Sequence, residues 1–196
     1  MQISGIVLAG GKGTRLRADK AWADLGGKPL VLRVIEAIRP VVNEIVVVTN
    51  EPEKYAKLDV RTVRDTIPGE GPLIGLQSGL KAVRNPWAFV ATCDMPFLTP
   101  DFVYFLLRQT TRFDAVVPGD LKTRYPLSAM YAKACVPAIE HEIGRGRREV
   151  VSFFENVRVR WIPINVLKKV VDVDRVLFDV DTPEDLEKAK GMLKSS

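Results

Sequence analysis

Histidine and cysteine are nearly absent from this chain: one histidine and two cysteines occur in 196 residues. The lone His141 lies between Glu140 and Glu142 in a helical pattern and reads as a surface residue, so a Ser-His-Asp triad is not expected. Cys93 and Cys135 form no CxxC pair, which argues against a disulfide scaffold or a zinc ribbon and for a reducing compartment. Cys93 reads as a small core filler rather than a nucleophile. No apolar run approaches the ~18 residues of a membrane span. No signal-peptide pattern is found at the start, and the expectation is a cytoplasmic protein with no membrane partner. Internal repeats and low-complexity segments are also lacking. Positive charge is in excess, +5 overall, but it is scattered apart from Arg145-Gly146-Arg147-Arg148 and Lys168-Lys169. Nucleic-acid modules concentrate charge and interleave aromatics for stacking. That pattern is missing, so a small polyphosphate ligand accounts for the excess better than nucleic acid does.

What is present is the composition of an ordinary globular protein, 46% apolar and 27% charged. The length suits one domain, 1–196, with a sizeable core. Strand-like apolar runs recur at Ile3–Leu8, Glu44–Thr49, Trp87–Thr92, Ala115–Val117 and Leu127–Tyr131. Amphipathic helical patterns fall between them at Leu30–Ile38, Ile74–Val83, Pro100–Arg108 and Ala134–Ile143. The alternation predicts an α/β fold with a mainly parallel sheet. Past Asp114 the strands shorten, which predicts a short antiparallel addition in the C-terminal half. Thr182, Pro183 and Asp185 form a capping-box-like start for a closing helix from Pro183 to about Leu193.

The first strand breaks into Gly10-Gly11-Lys12-Gly13-Thr14-Arg15, with Asp19-Lys20 close behind. Glycines let backbone amides face an anion, and the cations supply charge. Two commoner nucleotide signatures are excluded. Leu16 stands where a dinucleotide fingerprint needs glycine, and Gly13 follows Lys12 where a P-loop needs Ser or Thr. Ligands of open α/β sheets sit beyond the carboxyl ends of the strands. The glycine turn, Asn50 and Asp94 all fall there.

Each candidate has a structural alternative. Lys20 is either a cation on a transferring phosphate or a solvated lysine. Asp94, directly after a strand and stiffened by Pro96, suits a hard cation such as Mg²⁺, which takes one or two carboxylates plus substrate phosphates. Its other reading, a cap for the Pro100 helix, suits Thr99 better. Asp179 and Asp181 share one face of an extended segment, so one of them is a candidate second metal carboxylate. Helix-cap support is the alternative. Asp65 precedes a Gly-Pro loop and could accept hydrogen bonds from a nucleobase or ribose, or simply order its own turn.

Leu8-Ala9-Gly10-Gly11, Arg15, Asp19-Lys20, Gly69-x-Gly71-Pro72-Leu73-x-Gly75, Cys93-Asp94-Met95-Pro96-Phe97, Arg124-Tyr125-Pro126-Leu127 and Thr182-Pro183-Glu184-Asp185-Leu186 occur in order. Together they resemble the molybdenum cofactor guanylyltransferases, within the nucleotidyltransferases of three-layer Rossmann-like fold. The resemblance runs from about Ile3 to Leu186. It implies transfer of GMP from GTP to the phosphate of molybdopterin, in its plain or molybdenum-loaded form, with release of pyrophosphate. Molybdoenzyme maturation proteins are further implied partners. It assigns Arg15, Lys20 and Asp94 to catalysis, with Mg²⁺ on Asp94. Leu8, Ala9, Gly10, Lys20, Asn50, Asp65 and Asp94 become nucleotide contacts, while Gly71, Gly75, Arg148, Asp179 and Asp181 fall on the acceptor side. The nucleotide half is then about 1–113 and the acceptor half about 114–196. The chain departs from the pattern at Asp179-Val180-Asp181, where the guanylyltransferases have Asn-x-Asn, and at Arg17 in place of glycine. Paired aspartates are closer to cytidylyltransferase relatives, so CMP transfer to molybdopterin is a rival. Guanylyl transfer to another phosphorylated cofactor precursor is a second rival, and a GTP-binding cofactor-delivery protein is a third.

Overall fold

The first apolar run becomes β1 (Ser4–Leu8), with every side chain buried, and the sheet grows outward from it on both sides. β2 (Glu44–Val48) and β4 (Trp87–Thr92) flank it in parallel, with Ile6 level with Val46 and Val90. β3 (Arg61–Val63) extends the sheet in parallel beyond β2. On the other side β6 (Ser128–Ala132) runs antiparallel to both β4 and β5 (Ala115–Pro118), and β7 (Val159–Ile162) runs parallel to β5. Among the described residues the order across the seven strands is β3-β2-β1-β4-β6-β5-β7, and there β6 alone points the other way. The chain is described by a computed structural model covering residues 1–10, 19–67, 70–120 and 122–194.

Side chains alternate across each strand, so one strand feeds two cores. Ile3, Val7, Phe89 and Ala91 face one side, where α1 (Leu30–Ile38) and α3 (Pro100–Leu107) pack through Val31, Val34, Phe102 and Leu106. Ile6, Leu8, Ala88 and Val90 face the other, against Leu73, Leu76 and Leu80 of α2 (Pro72–Ala82) and Ile139 of α4 (Val136–Gly144). Three layers result. Two short helices, α5 (Ile164–Leu167) and α6 (Val173–Val176), add Leu167 and Val176 to the first core. A third cluster of Leu25, Leu30, Phe97, Val180 and Ala189 seats the closing helix α7 (Pro183–Lys194). Among the described residues no helix is long and apolar enough to cross a membrane.

Helix starts follow local chemistry. Thr182 and Asp185 form the reciprocal box: Asp185 N donates to Thr182 Oγ1 at 3.1 Å, and Thr182 N donates to Asp185 Oδ2 at 3.0 Å. Thr99 caps α3 by accepting from Phe102 N at 3.3 Å, which leaves Asp94 free of that task. α2 starts two residues earlier than its apolar period suggests, because Pro72 suits a first helical position. α4 starts at Val136 rather than Ala134, since Lys133–Cys135 is a 3₁₀ turn. The edge strands β3 and β7 are too short to show a period, and Arg61 and Arg160 interrupt their apolar pattern.

Candidate active site

Strands β3, β2, β1 and β4 point the same way, and a cleft of about 940 Å³ opens beyond their carboxyl ends. Each strand delivers one predicted group to it: Asp65 after β3, Asn50 after β2, Ala9 and Gly10 after β1, and Asp94 after β4. The ladder continues past the strands and holds these groups level. Ala9 N donates to Val48 O at 2.9 Å and Cys93 N donates to Leu8 O at 3.0 Å. Three strand spacings of ~4.8 Å separate the backbone of β3 from that of β4, and the Asp65 side chain reaches inward from β3 toward Gly10. A smaller depression of 260 Å³ lies at the amino ends of β2 and β3 and contains none of the predicted residues.

Asp65 dominates one end. A Cβ built on Gly10 would stand 3.4 Å from its Oδ2, and one on Gly75 3.5 Å from its Oδ1. The two glycines therefore leave the carboxylate a slot lined by backbone. Its Oδ1 is buried without a partner among the described residues, as is Asn50 Oδ1. Burial pushes the Asp65 carboxyl above the usual carboxylate range. Among the described residues these two buried acceptors are left without donors, an arrangement that is costly unless a donor is supplied.

At the other end Lys20, in a short 3₁₀ turn, places its Nζ against both Asp94 Oδ2 and Asp181 Oδ1. Burial pulls the lysine's pKa down, but Asp94 and then Asp181 outweigh it, and the net shift is upward. Asp94 is buried and its Oδ1 has no partner among the described residues. The Asp179–Asp181 segment is fixed by Val180, which is fully buried and whose N–H donates to Asp94 O at 3.0 Å. Of the two flanking aspartates, Asp181 is the one that meets Lys20. Loss of water and then the Asp181 charge hold Asp179 above the usual carboxylate range. No three acidic, histidine or cysteine side chains among the described residues form a closed metal cage. Asp94, with its free oxygen, and Asp181 are nonetheless hard oxygen donors suited to a divalent cation completed by substrate oxygens.

Gly71 and Gly75 line the cleft on the α2 side. Gly71 has φ +95, a backbone state that favours glycine, and its Cβ position lies 3.6 Å from Arg148 O. Arg148 stands behind Gly71, with its Nε donating to Glu70 Oε2 at 2.6 Å. The buried Glu142 carboxylate holds the preceding Arg147 at 3.1 Å. Arg15 lies outside the described residues, as do Gly11, Lys12, Gly13 and Arg17. His141 is exposed, and burial raises the Cys93 thiol well above its ordinary pKa, as expected for a filler. Tyr55 and Leu127 also line the cleft. Tyr55 packs on Trp22 with ring centroids 5.4 Å apart. No local pattern around Tyr55 signals this, whereas Leu127 closes the Arg124-Tyr125-Pro126-Leu127 run.

The MobA-like NTP transferase domain matches residues 5–159 of the chain. A probable molybdenum cofactor guanylyltransferase of Pelotomaculum thermopropionicum is 32% identical over 100% of this chain and 96% of its own length. A molybdenum cofactor guanylyltransferase of Desulfosudis oleivorans is 32% identical over 98% and 96%. The crystal structure of a molybdopterin-guanine dinucleotide biosynthesis protein A from Archaeoglobus fulgidus superimposes with a TM-score of 0.85. That protein is 27% identical, and the match covers 98% of this chain and 100% of the other.

Proposed function

Since the chain belongs to the MobA-like NTP transferase family, we propose that it transfers GMP from GTP to the phosphate of molybdopterin, releasing pyrophosphate. The observation that carries this reading is the Lys20–Asp94–Asp181 constellation at one end of a cleft whose other end holds acceptors unpartnered among the described residues. A nucleotide spans such a cleft with its phosphates at the end that holds Lys20 and the carboxylates suited to a cation. Guanine fits the far end because its ring N–H and neighbouring amine are adjacent donors, which a carboxylate can accept together. Cytosine presents only one donor group on that edge. The relatives' names agree with guanine.

The acceptor phosphate is an anion already, so no general base is required; in-line attack at the α-phosphorus needs positioning and charge neutralisation. Leu8, Ala9 and Gly10 present backbone to the base and Asn50 assists. Lys20 turns from the carboxylates to the α-phosphate or the leaving pyrophosphate and offsets its charge. Arg15 adds a second cation. Asp94, with Asp181, would hold Mg²⁺, which when bound supplies further neutralisation of phosphate charge. Gly71 leaves room for the acceptor, and Arg148 attracts its phosphate from the rim. The test is pyrophosphate release measured with each of the four nucleoside triphosphates, with and without molybdopterin. Turnover that needs both GTP and molybdopterin is expected. Preference for CTP, or binding without turnover, would overturn the proposal.

A further inference from the structure

Helix α2 carries two buried polar side chains that the reaction does not use. Gln77 and Ser78 are 7% and 3% exposed, among Leu73, Ile74, Leu76 and Leu80 on the same helix. Buried polar groups are costly unless hydrogen-bonded, and both of these bond to one residue. Thr66 N donates to Ser78 Oγ at 3.1 Å. The Thr66 hydroxyl donates to Gln77 Oε1 at 3.0 Å. Gln77 Nε2 in turn donates to Glu140 Oε1 on α4 at 3.2 Å, an oxygen that Lys81 Nζ also approaches at 2.6 Å.

Thr66 directly follows Asp65, whose Oδ1 receives no donor within the described residues. Among the described residues, that oxygen does nothing to locate Asp65. Its backbone is located through the two bonds of Thr66, while Gly75, one helical turn before Ser78 on α2, forms the wall beside Oδ1. One helix therefore both shapes the slot and fixes the residue that enters it.

Resting on the reading that Asp65 meets the nucleobase, we propose that Thr66, clamped by Ser78 and Gln77, is the positioning residue that gives this site its selectivity for guanine. A carboxylate takes the ring N–H and the exocyclic amine together only when both oxygens face them. Displacement by a fraction of an ångström to an ångström loses one of the two bonds. Hypoxanthine has the ring N–H and lacks the amine, so the ratio of GTP to ITP affinity reports whether both are read.

Kd values for GTP and ITP are measured by calorimetry in the absence of acceptor, together with melting temperatures. The wild type is expected to prefer GTP by about tenfold or more, the worth of one hydrogen bond to a charged group. Thr66→Val and Ser78→Ala are expected to bring that preference to within about twofold, with ITP affinity nearly unchanged. Thr66→Ser, which keeps the hydroxyl, restores it. A GTP preference in the valine and alanine variants equal to the wild type's overturns the proposal, as does parallel weakening of both nucleotides. Asp65→Asn separates the two levels. If it leaves the ratio unaltered, the base reading itself fails. If it abolishes the preference while Thr66→Val and Ser78→Ala do not, only the positioning role fails.

Discussion

Asp94→Asn keeps the shape of its side chain and removes the charge, so activity and stability should part company. One Asp94 oxygen meets Lys20 and the other has no partner among the described residues. For stability the changes oppose each other. The cost of burying a carboxylate disappears, and the pair with Lys20 is lost, but Lys20 keeps Asp181. No uncompensated buried charge remains, so the net change is about 1 kcal/mol or less and Tm moves by no more than ~3 °C. For the reaction nothing compensates. A neutral amide is a weak ligand for a hard cation and neutralises no charge, and losing one such contact costs ~3–4 kcal/mol of transition-state stabilisation. At about 1.4 kcal/mol per decade, kcat/KM falls roughly 10²–10³-fold. The assay is pyrophosphate release from GTP with molybdopterin and Mg²⁺, alongside a thermal melt and a Mn²⁺ titration followed by electron paramagnetic resonance. A folded variant within tenfold of wild-type kcat/KM would falsify the assignment. So would Mn²⁺ binding as tight as in the wild type. A Tm lower by about 10 °C would show instead that Asp94 is chiefly structural.

Gly79→Ala pushes a methyl to 2.6 Å from Ile6 Cγ2 in the core between α2 and β1. A loss of about 1–3 kcal/mol is expected despite the better helix propensity, read as a shift in urea midpoint at constant m. Gly75→Ala meets only ordinary contacts, 3.4 Å from Leu8 Cδ2 and 3.5 Å from Asp65 Oδ1. Its Tm should hold or rise while GTP affinity drops; unchanged affinity would mean the slot beside Asp65 is not used. Arg158 holds the Asp114 carboxyl below the usual carboxylate range through a hydrogen-bonded pair at 2.9 Å. A lowered folded-state pKa adds stability above the unfolded value, and that stability is lost as pH falls through the folded one. Asp114→Asn should therefore be less stable than wild type by ~0.5–1 kcal/mol at neutral pH, with the gap closing in acid. A gap independent of pH refutes the charge argument.

Whatever is encoded within a few residues can be read from the chain alone. The apolar runs set β1, β2 and β4, the amphipathic periods set α1 to α4, and Thr182 with Asp185 set the start of α7. Asp94 was legible because an acid directly after a buried strand has one place to go, the carboxyl edge of a parallel sheet. Hydrophobic period and capping are local physics. Everything else depends on long-range packing. Strands of three or four residues, such as β3 and β7, become strands only when a neighbour's ladder accepts them. Asp179 and Asp181 are equivalent by spacing, and only the buried Val180 and its bond to Asp94 bring Asp181 to a lysine 161 residues away. Gln77 and Ser78 look like gaps in an apolar helix until Thr66, 12 residues before Ser78, is seen bonded to both. These pairings depend on the order in which strands join the sheet and on which helix face each core accepts. Both are settled by burial summed over the whole chain, and no short stretch of residues carries them.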